Sequence, residues 1–391
     1  MTQLCHSCKW LSTLMAAIMI TASVSAQAAV KAAVRDVFEV EGVVVDVTAE
    51  TASKAREQAL ADGQTRAFRT LLERLTLKIE HKGLPDLPPE EVAALVSDFS
   101  VADEKTSAVR YLARLTFRFK HDNIRKLLND FGFSFAETVS KPVLVLPVFQ
   151  DAGALILWDD PNPWHDAWAG RPKSQGLVPT QLPLGDLKDI ATIGAEQAMD
   201  GDLQRLAAIA NRYGATDTLV VFGVMRLDAA KAKRVLEVYF TRFGSQHREQ
   251  TEIINFIQND NETVSGLLSR AALELTAIVE DNWKRDNILQ FSRSGTISAV
   301  IPIAKLKDWL DIRARLANVA VVRRTEMVLL SQGEVRINVH YIGETEQLAL
   351  ALEQADLKLT NEGGIWLLAP VDAPTGDQTP DKPGAKDRKK S

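Results

Sequence analysis

The side chains best placed to do chemistry crowd into one short segment, 157–170. It carries Trp158, Trp164 and Trp168 beside Asp159, Asp160, His165 and Asp166, with prolines at 161 and 163. Indole faces presented by a loop stack on sugar rings or anchor a protein partner as hot spots. The same rings can instead tuck under the loop and fasten it to the body, because tryptophan is a highly buried residue on average. The carboxylates admit two further readings, hard-metal ligands or an acid–base pair. A metal needs several oxygens converging on one point, and this spacing matches no EF-hand register. Asp-Pro and Asn-Pro steps are ordinary turn chemistry. The binding candidates are therefore Trp158, Asp159, Asp160, Trp164 and Trp168, and the sequence assigns no catalytic residue, no metal and no cofactor.

Elsewhere the reactive residue types lack the spacing that chemistry demands. His81, His121, His247 and His340 are scattered, with no H-E-x-x-H pair on one helix face. There is no G-x-S-x-G elbow and no S-x-x-K followed by K-T-G. Gly42 and Gly63 are isolated rather than part of a phosphate-cradling loop. Glu90-Glu91 sits where acidic residues favour a helix start. A triad assembled from distant positions stays open, since triads are defined by geometry rather than order. Arg313, Arg315, Arg323 and Arg324 form a basic cluster that reads either as a patch for an acidic partner or as a solvated face with Asp311 and Glu326 as local partners.

Residues 1–28 have the form of a cleavable secretory signal: Lys9 in the n-region, an apolar stretch from Leu11 to Ser25, and a small-x-small site at Ala26-Gln27-Ala28. That apolar stretch falls short of the roughly 20 residues that span a bilayer, though retention as an anchor stays open. Cys5 and Cys8 lie in the n-region and would be lost on cleavage, so the expected mature chain holds no cysteine and forms no disulfide. The expectation is a periplasmic protein. A formal net charge of −5 argues against nucleic-acid binding, which rests on clustered Lys and Arg. No later apolar run is long enough for a transmembrane helix.

These residues must be positioned by an α+β fold in three blocks. The first, 29–138, opens with a β-branched strand at Val37 to Val47. A long helix follows with a stripe of Ala52, Ala55, Ala59, Gly63, Ala67, Leu71 and Leu75, capped by Thr51. Its small residues allow close approach to a sheet. Pro88-Pro89-Glu90-Glu91 starts a short helix, Ala108 to Phe119 alternates as an amphipathic strand, and a helix near Asp122 to Phe131 closes an N-terminal α+β module. The second block, 139–291, is a central α/β layer. Its buried strands are Pro142 to Phe149 and Thr218 to Met225. Its helices run from Leu203 to Tyr213 and from about Glu262 to Ile288, and a hairpin turns at Gly244-Ser245-Gln246. The third block, 292–370, reads β-α-β-β-α-β, a ferredoxin-like module with Leu357 to Leu368 as its last strand, bent at Gly363-Gly364. Residues 371–391 are Pro-rich, charged and expected to be disordered.

The run Pro142-Val143-Leu144-Val145-Leu146-Pro147, the motif Leu157-Trp158-Asp159-Asp160-Pro161-Asn162-Pro163-Trp164 with Ala167-Trp168, and Asp308-Trp309-Leu310-x-Ile312-Arg313-x-Arg315-Leu316 followed by His340-Tyr341-x-Gly343 resemble the exported proteobacterial proteins grouped as domain of unknown function 2066. The likeness covers nearly the whole mature chain. It implies an envelope-associated protein and supplies no reaction or catalytic residue. More loosely, Ala207 to Asp217 before a buried strand looks like the α/β domains of the Tol translocation protein and the curli secretion pore. Val37 to Leu75 is similar to the N-terminal module of a flagellar assembly protein.

The expected function is a non-enzymatic scaffold or adaptor of the cell envelope, with a protein partner meeting the Trp segment or an exposed sheet edge. Two rivals stand beside it: a peptidoglycan-binding module that uses the tryptophans as a platform, and a hydrolase that uses the carboxylates of the same loop.

Overall fold

The computed structural model describes residues 36–151, 153–228, 233–244, 251–289 and 293–371. The expected signal, most of the Gly244-Ser245-Gln246 turn and the tail beyond Val371 lie outside them. Helices and strands mix in an α+β fold of three sheets.

The first sheet has the order β1-β3-β2, all antiparallel, from β1 (Glu39–Thr48), β2 (Val96–Thr106) and β3 (Arg110–Phe119). Helix α1 (Ala52–Leu75) lies across it, and Thr51 Oγ1 caps it by accepting from the Lys54 N–H at 3.2 Å. Ala55, Ala59, Gly63, Ala67, Leu71 and Leu75 are all buried, as the stripe requires. At Gly63 the helix approaches so closely that a Cβ would stand 3.0 Å from a Leu115 methyl and 3.2 Å from a Val45 methyl. Helix α2 (Pro89–Leu95) and helix α3 (His121–Asp130) flank the sheet. Strand β2 has no counterpart in the hydrophobic pattern, because Val-Ser-Asp-Phe-Ser-Val-Ala-Asp-Glu-Lys-Thr is an exposed edge with little to bury.

The central sheet has the order β5-β4-β7-β8-β9, built from β4 (Val143–Asp151), β5 (Ala154–Ile156), β7 (Asp217–Asp228), β8 (Lys233–Phe243) and β9 (Thr251–Ile257). The short β6 (Thr180–Gln181) pairs with β4. Strands β4 and β7 are parallel and buried on both faces, while β8 and β9 return antiparallel. One face packs against α4 (Pro163–Ala169) and α8 (Val264–Asp286). The other packs against α6 (Ala195–Met199) and α7 (Leu203–Arg212), with α5 (Leu187–Thr192) lying against α7. Gly214, at φ +64°, ends α7 in the left-handed region, and the Ala215 N–H closes onto the Ala210 carbonyl.

The third sheet has the order β11-β12-β10-β14-β13, from β10 (Ser294–Pro302), β11 (Val322–Leu330), β12 (Glu334–Ile342), β13 (Leu357–Glu362) and β14 (Ile365–Pro370), with α9 (Leu306–Leu316) and α10 (Thr345–Gln354). The β10-α9-β11-β12-α10 part follows the expected ferredoxin-like order. The last strand differs. Gly363 and Gly364, at φ +59° and +90°, reverse the chain where a bend was expected. The result is a β13–β14 hairpin, with β14 parallel to β10 and β13 at the edge.

Candidate functional site

The Trp-bearing segment is a capped helix rather than an open loop. Asn162 Oδ1 accepts from the N–H groups of Trp164 and His165 at 3.1 and 3.0 Å, and Pro163 supplies the first helical position of α4. The cap turns Trp164 and Trp168 toward α8 and the sheet. Their exposures are 0% and 1%, and their rings meet edge to face at 5.7 Å. Trp164 Nε1–H donates to the Val221 carbonyl at 3.0 Å, and Gly223 on the same strand leaves room for the indole. Arg171 lies over the Trp168 ring, 4.2 Å from its centroid. Burial brings that guanidinium down to about 10, and it donates to Trp168 O and to the hydroxyls of Thr276 and Thr180. Trp158 is half-buried, and its Nε1–H donates to the Ile193 carbonyl at 2.7 Å.

Trp164 and Trp168 therefore have no free face on which a sugar could stack, and the tryptophan platform does not form. The indoles instead fasten both helical layers to the central sheet. Asp159, Asp160 and Asp166 are exposed, and His165 Nδ1 lies 3.7 Å from Asp166. Among the described residues no group of three or more His, Cys, Asp or Glu side chains converges as a metal site.

Two further ionisable groups shifted by burial, Glu280 and Lys284, lie where the C-terminal half of α8 meets α1. A cleft of about 350 Å³ opens there, lined in part by Glu73, Arg74, His81, Gln175, Glu280 and Lys284. The Glu280 carboxylate accepts from the N–H groups of Leu177 and Val178 at 2.8 and 3.1 Å and from Ser174 Oγ at 3.3 Å. Burial pushes this carboxyl above the usual carboxylate range, against the opposing pull of those donors and of Lys284. One turn on, Lys284 Nζ donates to the carbonyls of Glu73 and Thr76 at 2.8 and 2.7 Å, and burial lowers its pKa. An ammonium at the C-terminal carbonyls of α1 also complements that helix's dipole. Asp281 accepts from the Lys78 N–H, and Trp283 Nε1–H donates to the Thr138 carbonyl at 2.7 Å. Arg74 donates to the carbonyls of Val37 and Glu39 and to Gln175 Oε1.

Each of these groups has a backbone partner, so the cleft joins α8 to the end of α1 and to the segment 174–178. Sequence reading missed it because Glu280 and Lys284 share the inward stripe of a helix otherwise recognised by its apolar residues. The signal that could have found them is their i, i+4 spacing on the buried side.

A second cavity of about 610 Å³ sits beside the start of α3, lined by Asp36, Asp98, Arg118, His121 and Arg125 among others. Most of its charges are paired: Arg118 with Glu39 and Asp98, His121 with Asp36, and Arg125 with Asp122 and the buried Glu137, while Lys120 Nζ donates to the Ala94 carbonyl. Among the described residues no helix is long and apolar enough to cross a membrane. A scan of the chain against protein-family models found no match. A search of curated proteins found no relative.

Proposed function

We propose that the chain is an exported, non-enzymatic scaffold or adaptor of the cell envelope, related to the domain of unknown function 2066 proteins it resembles. The observation that carries the adaptor reading is the outer edge of the central sheet, with which no strand pairs among the described residues. The strand order ends at β9, which keeps an unbroken register with β8 from Thr251 to Ile257. Such an edge offers a row of unpaired backbone groups to an incoming strand. Ile253 and Ile257 project from it, both exposed, on the face away from α8. An edge meant to stay free is usually blunted by lysine, proline or a bulge, and β9 has none of these between Thr251 and Ile257. The joint at Glu280 and Lys284 suits a scaffold, since it spends ionisable groups on holding modules together.

Crosslinked affinity capture from intact envelopes tests the reading. Wild type is compared with an Ile253→Lys/Ile257→Lys variant whose fold is checked by circular dichroism. The expected result is a specific partner with wild type that is lost with the variant. Equal capture by both would remove β9 as the contact, and absence of any specific partner would end the adaptor reading. Mass spectrometry of the exported protein tests the location, with Ala29 as the expected first residue.

A further inference from the structure

Six exposed apolar side chains gather at one end of the C-terminal sheet. Met327, Val328, Leu329 and Leu330 follow one another along β11, and Leu306 and Leu310 lie one turn apart on α9; their exposures run from 43% to 63%. The two elements reach the same end of the sheet because the Ile303 N–H donates to the Gly333 carbonyl at 3.0 Å and Pro302 pairs with Glu334. A patch of this kind on a folded domain marks a contact surface.

Two observations say what the contact is with. The first is backbone geometry. The register of β11 against β12 shifts between Val322 and Arg324 and again between Met327 and Leu329. Bulges interrupt an edge and disfavour addition of another strand. The second shift also ends the inward–outward alternation, so four consecutive apolar residues all face water. A surface without register suits a partner without register, and hydrocarbon has none.

The second observation is charge. Residues 305–316 hold four basic residues and two acidic ones, in a chain whose formal charge is −5. Lys305 and Lys307 flank Leu306, and among the described residues neither ammonium has an ion-pair contact. Both sit at the N-terminus of α9, where a cation opposes the helix dipole. The helix dipole therefore does not explain them. Asp308, on which both ammonium charges act, accepts from the N–H groups of Ala304 and Lys305 at 2.9 and 2.8 Å.

We propose that this end of the C-terminal module is a membrane-contact surface, with Leu306, Leu310 and Met327 to Leu330 entering the interfacial layer of an anionic phospholipid bilayer and Lys305 and Lys307 at the depth of its phosphates. Apolar area and basic charge together supply the two signals that stable peripheral binding requires. The surface lies on a different module from β9, so the proposal stands whether or not a protein partner occupies that edge.

Vesicle sedimentation tests it, using the protein in its exported form and phosphatidylcholine vesicles with and without phosphatidylglycerol. Wild type should sediment with the anionic vesicles and less with the neutral ones, more weakly as salt rises. Val328→Glu with Leu306→Gln should weaken binding about tenfold or more. Lys305→Glu with Lys307→Glu should abolish the preference for phosphatidylglycerol. Leu306→Gln alone, a surface change on a helix, gives a smaller loss and guards against misfolding of the double variant. Ile253→Lys/Ile257→Lys should bind vesicles as wild type does. Failure of wild type to sediment, or equal binding by the Val328 and Leu306 variant, would overturn the proposal. So would sedimentation velocity showing that the patch is covered by a second copy of the chain.

Discussion

Glu280 is ionisable in a place where water is scarce. Its carboxyl is raised by burial, so the folded chain holds that proton more tightly than the unfolded chain does. Between about pH 4.5, its ordinary value, and the raised value, the native state binds more protons. Stability therefore falls as pH rises through that window. Glu280→Gln keeps an oxygen acceptor for Leu177 and Val178 but cannot titrate. Its melting temperature should accordingly depend less on pH than that of wild type from pH 4.5 upward. Parallel melting profiles for the two proteins would show that Glu280 does not titrate in this window. Glu280→Ala is a different experiment. It strands two buried N–H groups and should cost roughly 2–4 kcal/mol, read by urea denaturation.

Among the elements, the β13–β14 hairpin shows how a turn reads when its chemistry is taken seriously. A two-residue turn with positive φ at both central positions is the type I′ geometry, which glycine and asparagine accept. Gly363→Asn should be tolerated. Gly364→Val forces a β-branched residue into the left-handed region and should cost about 1–2 kcal/mol, checked by thermal melting. A melting temperature unchanged by Gly364→Val would argue against the hairpin. The Gly-Gly pair was visible in the sequence, but the apolar residues on either side read as one strand, and pattern outweighed turn chemistry. Elsewhere pattern was sufficient. The small-residue stripe of α1 correctly signalled close packing on β1 and β3, and the alternation from Tyr111 to Phe119 marked the buried face of β3. It was silent for β2, which buries little, and for α5 and α6, which are shorter than two turns. Helix α4 was hidden by its own composition, since prolines and aspartates before Trp164 read as loop although Asn162 and Pro163 are a helix start. The tryptophans were legible as special; their direction was not, because that depends on a cap and on the space left at Gly223.

For the whole molecule, the three sheets do not stand alone. Buried residues of the first and third modules form one continuous apolar cluster that includes both Phe135 and Leu289. The Leu289 N–H donates to the Phe135 carbonyl at 2.9 Å, and Phe135 also bridges to Thr76 just past α1. Polar contacts run in parallel. Lys141 of the central block pairs with Asp356 of the third at 2.7 Å, and the Lys141 N–H donates to Gln354 Oε1, also of the third, at 2.7 Å. The central module joins through α8, whose Trp283 and Lys284 reach Thr138 and the end of α1. Phe135 is thus a core residue of two modules at once. Removing its ring should cost about 3–5 kcal/mol. That loss should not stay local: calorimetry should show one transition for wild type, and Phe135→Ala should move it as a whole. Separate transitions, with only one displaced by the substitution, would mean that the modules unfold independently. The proposed membrane and partner surfaces would then be carried on hinged bodies rather than on one frame. A single displaced transition means instead that β9 and the apolar end of β11 keep fixed positions relative to one another, as a scaffold that bridges a partner to a bilayer requires.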